Sequence, residues 1–324
     1  MTRKLLKALL AAACTMIIAA CCTGCSAFDK STGHGGKRIA LFVHGNQAGL
    51  INNLNSSIRK YAAEDGVTID VYNANQNGDK QIRQLKAAAK KHYDAFIVRP
   101  VEPDNAQEIT AIADGIPVVF YNFQPAKSAL KANQNIYVGP EEEMAGRLQA
   151  DYILKHTSKQ TLNVAILQGP SSLVAEKRTA ALKKELNKSG RTVNYVYNDS
   201  ANWEEETAKH QMNLFIKTGQ SCDAIASNND NMALGALKAF RKAHKKLPVA
   251  CGVDASDDGL KAIKNGTMGL SAAQPTDVQG KMCIKAAIQL IKGKKITDLK
   301  GATDDGLYVY TKMEAVTSAN ASDY

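Results

Sequence analysis

The chain has 324 residues, enough for one large or two mid-sized α/β lobes. Hydrophobic residues make up 44%, which sets disorder aside as the default state, and aromatics are sparse at 6%, with Trp203 the single tryptophan. The formal charge of +10 is scattered along helical stretches such as Lys183, Lys184 and Lys188 and is not gathered beside a reading element, so it reads as solvated helix faces and argues against a nucleic-acid partner.

At the start of the chain, Arg3, Lys4 and Lys7 precede an apolar run from Ala8 to Ala20, the pattern of an export signal and too short for a spanning helix. Cys21, Cys22 and Cys25 crowd the end of that run. Ile18-Ala19-Ala20-Cys21 resembles the bacterial lipobox, in which small residues precede a cysteine that is lipidated; Cys25, after Cys22-Thr23-Gly24, is the alternative attachment point. Residues 1–25 are therefore expected to be a lipoprotein signal and anchor, and 26–36, polar and Gly-rich, a flexible tether. This places the chain outside the cytoplasm, on the outer face of the cytoplasmic membrane or the periplasmic side of a membrane. Only Cys222, Cys251 and Cys283 follow, at long spacings, and they read as small buried hydrophobes and not as a disulfide framework.

After the tether, apolar runs rich in Val and Ile at 38–43, 67–73, 94–99, 117–121, 162–168, 223–227 and 248–253 predict buried parallel strands. Amphipathic stretches between them predict helices. One opens at Pro140, with Glu141, Glu142 and Glu143 suited to a helix N-terminus. Another opens at Asn202, with Glu205 completing a capping box and Gly219 ending it. A third runs from Met232 to Lys242, with Asp230 assigned to its cap. Alternation of this kind implies doubly wound sheets, and so many units exceed one comfortable sheet. The expectation is an α/β chain of two Rossmann-like lobes joined by a hinge. Residues 37–138 plus about 275–305 form the first lobe, and 139–274 plus about 306–324 the second.

Ligands in such sheets bind outside the carboxyl ends of the strands. Those ends carry His44 and Gln47, Asn122, Arg178 nearby, Asn228 and Asn229, Asp254, and Gln274. Amides, a carboxylate and an arginine make a cleft that donates and accepts in pairs, as a polyhydroxylated ligand requires, and Trp203 offers a flat face for its C–H side. Asp254 ends an apolar run, where it is either a helix cap or a ligand acceptor; the acceptor role is favoured, because an unpaired buried carboxylate is costly.

At these residues the chain resembles the type I periplasmic binding proteins of the sugar-binding family, nearest its galactose/glucose-binding members. Ile116–Pro125, Ile136–Gly146, Asn228–Phe240 and Gly252–Leu260 carry the resemblance. It implies a sugar-hydroxyl contact for Asn122, a ring-oxygen contact for Arg178, stacking for Trp203, and ligand contacts for Asn229, Asp254 and Gln274. Gln47, Leu50 and Phe123 are weaker candidates. The departures are as informative. Ala48 and Leu50 stand where the family has an Asp and a stacking Phe, Phe123 replaces a Lys, and Ser172 and Val174 replace a His and an Asp. No calcium loop is visible between Thr157 and Asn163. A more apolar second wall, suited to a deoxy sugar or another small polar molecule, is the consequence. The implied function is a monomeric, non-enzymatic receptor. It would hand a monosaccharide to the permease and ATPase subunits of an ABC importer, with no cofactor or metal. The alternative is a sensor presenting the ligand to a chemoreceptor or histidine kinase. No nucleophile elbow, zinc-protease motif or phosphate loop supports an enzyme, and an export leader stands where a sugar-responsive repressor would carry its DNA-binding helices.

Overall fold

The computed structural model describes residues 36–45 and 49–324, and Lys37–Tyr324 forms one unit. Its first sheet contains β1 (Arg38–Val43), β2 (Thr68–Asn73), β3 (Ala95–Val98), β4 (Val118–Tyr121), β5 (Asn135–Pro140) and β11 (Tyr308–Thr311), in the order β11-β5-β4-β3-β1-β2 with every pairing parallel. The second contains β6 (Thr161–Gln168), β7 (Thr192–Ser200), β8 (Ala224–Ser227), β9 (Val249–Val253), β10 (Leu270–Ala273) and β12 (Glu314–Val316), in the order β12-β10-β9-β8-β6-β7. Only β12 runs antiparallel there.

The inner strands are continuous apolar runs because helices cover both faces of each sheet. In the first lobe Ile39, Leu41, Ile97 and Val119 face α1 (Leu50–Glu64) and α9 (Thr276–Ile291). Their chain neighbours Ala40, Phe42, Phe96 and Val118 face α2 (Gly78–Ala88) and α3 (Ala106–Ala113), as the period of two demands. In the second lobe α6 (Glu205–Lys217), α7 (Asp230–Lys242) and α8 (Asp257–Lys264) cover one face, and α4 (Glu143–His156) and α5 (Leu173–Asn187) the other. Gly280 of α9 lies so close to Ser57 and Ile58 of α1 that a Cβ there would overlap them.

All seven strands expected from the sequence are present, each within about a residue of its expected range. The chain crosses between lobes after β5, after β10 and between β11 and β12. Residues 308–311 therefore belong to the first sheet, so the last crossing lies later than the expected one between 305 and 306. The first also falls later than expected, because Gly139 and Pro140 still pair with β11. The helix expected from Pro140 begins at Glu143 for the same reason. The helix expected from Asn202 begins at Glu205, since Asn202 and Trp203 take left-handed backbone (φ 54° and 67°) that no helix can include. Gly219, at φ 74°, does follow that helix's end.

Candidate ligand-binding cleft

A cleft of about 890 Å³ opens where the carboxyl ends of both sheets meet. Leu50 and Asn53 of α1, Arg99 after β3, and Asn122 and Phe123 after β4 line it from the first lobe. Arg178 of α5, Trp203, Asn229 and Asp254 line it from the second, with Gln274 at the crossing after β10. The expected site residues within the described range thus converge on one cavity. Gln47, Cys21 and Cys25 lie outside the described residues.

Three of these residues stand on strained backbone. Asn122 (φ 59°) is the centre of a three-residue turn closed by the Phe123 amide donating to the Tyr121 carbonyl at 2.6 Å. Trp203 sits at φ 67° and Asp254 at φ 107°. Non-glycine residues hold such geometry only where their surroundings over-determine it, and such places cluster at functional sites. At Trp203 the constraint is visible. Gly169 packs against the indole so closely that a Cβ would overlap the ring, and the Asn229 side-chain amide donates to the Trp203 carbonyl at 3.1 Å. The Arg178 guanidinium lies 5.9 Å from the indole centroid.

A relay of hydrogen bonds joins the walls. Arg99 Nε donates to Asn122 Oδ1 (3.3 Å), Asn122 Nδ2 to Gln274 Oε1 (3.0 Å), and Gln274 Nε2 to Asp254 Oδ1 (2.7 Å). Burial pushes the Asp254 carboxyl up to about 6, against the pull of Arg178, the Gln274 bond and Arg99. Asp254 is not the helix cap, because Ser256 caps α8 by accepting from the Gly259 amide at 3.1 Å.

Arg178 is 3% exposed and donates from Nε to Glu142 Oε2 and from Nη1 to the Asn228 carbonyl, both at 2.6 Å. Desolvation works against its charge, but Glu142 and Asp254 outweigh it and keep the guanidinium protonated. Glu142, fully buried, is therefore an anchor for a cleft residue as well as the residue before α4. The sequence pattern had placed it only among helix-start acids. Asp230 also departs from expectation. Asn229 caps α7, accepting from the Met232 amide at 3.0 Å, and Asp230, buried at the floor of the cleft, turns its carboxylate to Ser256 and Ser271.

Arg99 escaped the sequence reading although it ends an apolar run; the strand-end rule applied to 94–99 finds it. Its Nη1 is buried without a hydrogen-bond partner, and no carboxylate is in ion-pair contact with it among the described residues. The guanidinium lies 5.7 Å from the Phe123 ring centroid. Beside it, burial and then the charge of Arg99 hold the His44 imidazole neutral, down to about 4.

Two α/β sheets in one unit, a polar cleft at their carboxyl ends and three crossings define a two-lobed solute receptor. The chain belongs to the periplasmic binding protein family, matching its domain over residues 39–295. The family's members are exported, and among the described residues no helix is long and apolar enough to cross a membrane. The D-galactose/methyl-galactoside binding periplasmic protein of Haemophilus influenzae is 30% identical over 277 residues, covering 81% of this chain and 83% of that one. The xylitol-binding protein of Mycolicibacterium smegmatis is 28% identical, covering 92% and 82%. An ABC transporter solute binding protein from Bacillus halodurans, solved with bound myo-inositol, superposes with a TM-score of 0.77 at 25% identity, covering 90% of this chain and 99% of that one. These relatives are solute-binding proteins, and the chain is a binding protein and not an enzyme.

Proposed function

We propose that this chain is the receptor of an ABC importer, held at the membrane by a lipid on Cys21 or Cys25, and that it closes on a monosaccharide or cyclic polyol. The observation that carries this reading is the convergence of the Asp254 carboxylate, the Asn122 and Gln274 amides, the Arg99 and Arg178 guanidiniums and the Trp203 indole on one cleft of about 890 Å³, contributed by both lobes. That volume is in the range of small-molecule sites. Asp254 accepts hydroxyl protons, Arg99 and Arg178 donate to hydroxyl oxygens, Asn122 and Gln274 do both, and Trp203 covers the C–H face. Asn229 completes the polar set. Asn229 has less to offer, since its oxygen caps α7 and its amide holds Trp203. Leu50 and Phe123 make part of the first-lobe wall apolar, which suits a ligand with one deoxygenated edge. Ligand bridging the lobes selects the closed form by its differential contacts, and the permease distinguishes loaded from unloaded receptor.

A thermal-shift screen over hexoses, deoxyhexoses, inositols and acyclic polyols tests the reading, because a ligand of the folded state raises Tm by mass action. A hit should quench or shift Trp203 fluorescence and compact the molecule in small-angle scattering. Absence of any shift across these classes overturns the ligand class. Labelling with a radioactive fatty acid, lost in Cys21→Ser or Cys25→Ser, tests the anchor.

A further inference from the structure

At the floor of the cleft, the Asp230 carboxylate gathers three donors from two elements that do not adjoin it in the chain. Oδ2 accepts from the Ser256 amide at 2.8 Å and from Ser256 Oγ at 3.1 Å, and Oδ1 accepts from Ser271 Oγ at 2.6 Å. Ser271 Oγ in turn accepts from the Ala255 amide at 2.9 Å. The amides of both residues that follow Asp254 are therefore fixed, one directly and one through Ser271, by a single side chain. Those two amides belong to the segment in which Asp254 and Ala255 stand at φ 107° and 50°. Neither conformation is favourable for a residue with a Cβ, and nothing in the local sequence, Asp254-Ala255-Ser256, enforces it. Gly252 and Gly259 flank the carboxylate so closely that a Cβ at either would overlap one of its oxygens, so the surrounding chain leaves room for this side chain.

An acid in the first turn of a helix gains from the helix dipole while exposed to water, and needs no burial for that. Asp230 is 1% exposed, and its charge repels that of Asp254. Burial, followed by that repulsion, pushes its carboxyl up to about 7. A side chain serving packing alone would be apolar here.

We propose that Asp230 is a positioning residue that holds the Asp254–Ser256 turn in its left-handed form and so aims the Asp254 carboxylate into the cleft. Its role in affinity is exerted through Asp254 and not through its own contact with ligand. This rests on the reading of Asp254 as a ligand acceptor, so the test has one arm that needs no ligand.

In that arm, hydrogen exchange is compared between the wild-type protein and Asp230→Asn and Ser271→Ala. Ser271→Ala leaves Asp230 in place with both of its bonds from Ser256, and removes the Oδ1 bond together with the link to the Ala255 amide. The Ala255 and Ser256 amides should exchange about tenfold faster or more in Asp230→Asn, with amides of β9 and α7 unchanged; Ser271→Ala should expose Ala255 alone. Wild-type exchange at 255 and 256 in Asp230→Asn, or a uniform rise over the second lobe, overturns the proposal. The second arm titrates myo-inositol and D-galactose by calorimetry in a double-mutant cycle. Asp230→Asn should weaken binding about tenfold in the wild-type background and less than about twofold when Asp254 is already Asn. Equal losses in both backgrounds mean that Asp230 acts by another route, and overturn it. If neither probe binds the wild-type protein, the choice of ligand class fails while the exchange arm still decides the role of Asp230.

Discussion

On the second-lobe wall three polar side chains are each held by a neighbour: Arg178 by Glu142, Asp254 by Gln274, Asn229 by the α7 amide and the Trp203 carbonyl. The first-lobe wall is built otherwise. Leu50 and Phe123 offer apolar surface, and among the described residues the Arg99 side chain has one bond, to Asn122, and a buried Nη1 with no partner. The difference separates two tasks. A wall whose side chains are fixed before ligand arrives loses little freedom on binding and gives affinity and orientation. A wall with apolar surface and an unpaired donor accepts or rejects particular substituents, and so gives selectivity.

The largest effect should come from breaking the fixed wall at its base. Glu142→Ala strands the Arg178 guanidinium in a buried site, and losing one partner of a buried pair costs about 3–5 kcal/mol. Urea denaturation should show a loss of unfolding free energy of that size; a loss below about 1 kcal/mol would mean that water reaches Arg178. Next comes Asp254→Asn, which should leave the denaturation midpoint nearly unchanged. It should weaken binding of a screened sugar about tenfold to a hundredfold, the worth of hydrogen bonds to a charged acceptor. Unaltered affinity in calorimetry places the site elsewhere.

The same carboxylate gives a pH dependence with a definite sign. Its folded pKa is raised, to about 6, so in the ligand-free protein it takes up a proton as pH falls through that value. A ligand that donates hydroxyls to the ionised form binds better above it. Affinity should fall by up to about tenfold per pH unit below about 6 and level off above it, and a flat profile from pH 5 to 8 counts against the acceptor role. For stability the direction is opposite. Between the ordinary carboxylate pKa and the raised values of Asp254 and Asp230, the folded state binds more protons than the unfolded chain. The contribution of these two groups therefore falls as pH rises through that window.

How far each wall was legible in the sequence follows from the same physics. Strands buried on both faces, such as Ala95–Val98 and Val118–Tyr121, are unbroken apolar runs and could be read directly. The edge strand Thr192–Ser200 is half-exposed and carries Asn194, Asn198 and Asp199, so its composition resembles a loop. Asn122, Asp254 and Gln274 were legible because the strand-end rule depends only on knowing where a strand stops. Trp203 came from resemblance, since an indole at a helix start has no local signature of a ligand face. Glu142 was only half read and Asp230 misassigned, because an acid at a helix start is self-explanatory in one dimension. Only the fold shows that one is buried against Arg178 and the other beneath Asp254.

The smallest change in affinity, and the sharpest test of the division between walls, is expected at Phe123. Its ring lies under the Arg99 guanidinium, an interaction worth about 0.5–1 kcal/mol at a partly exposed site. Phe123→Leu keeps an apolar surface but loses the flat ring, so Arg99 is less constrained and the wall less closely shaped. For a fully hydroxylated hexose such as D-galactose, affinity should change no more than about threefold, because Asp254, Arg178 and Trp203 supply most of the contacts. For the matching 6-deoxy sugar, D-fucose, the loss should be larger, since the deoxygenated edge is the part that this wall would recognise. The quantity to measure is the ratio of the two affinities by competition calorimetry. A ratio that moves while the D-galactose affinity holds supports a selective first-lobe wall. If both affinities fall equally, Phe123 belongs with the fixed wall instead, and the contrast between the two sides of the cleft is lost.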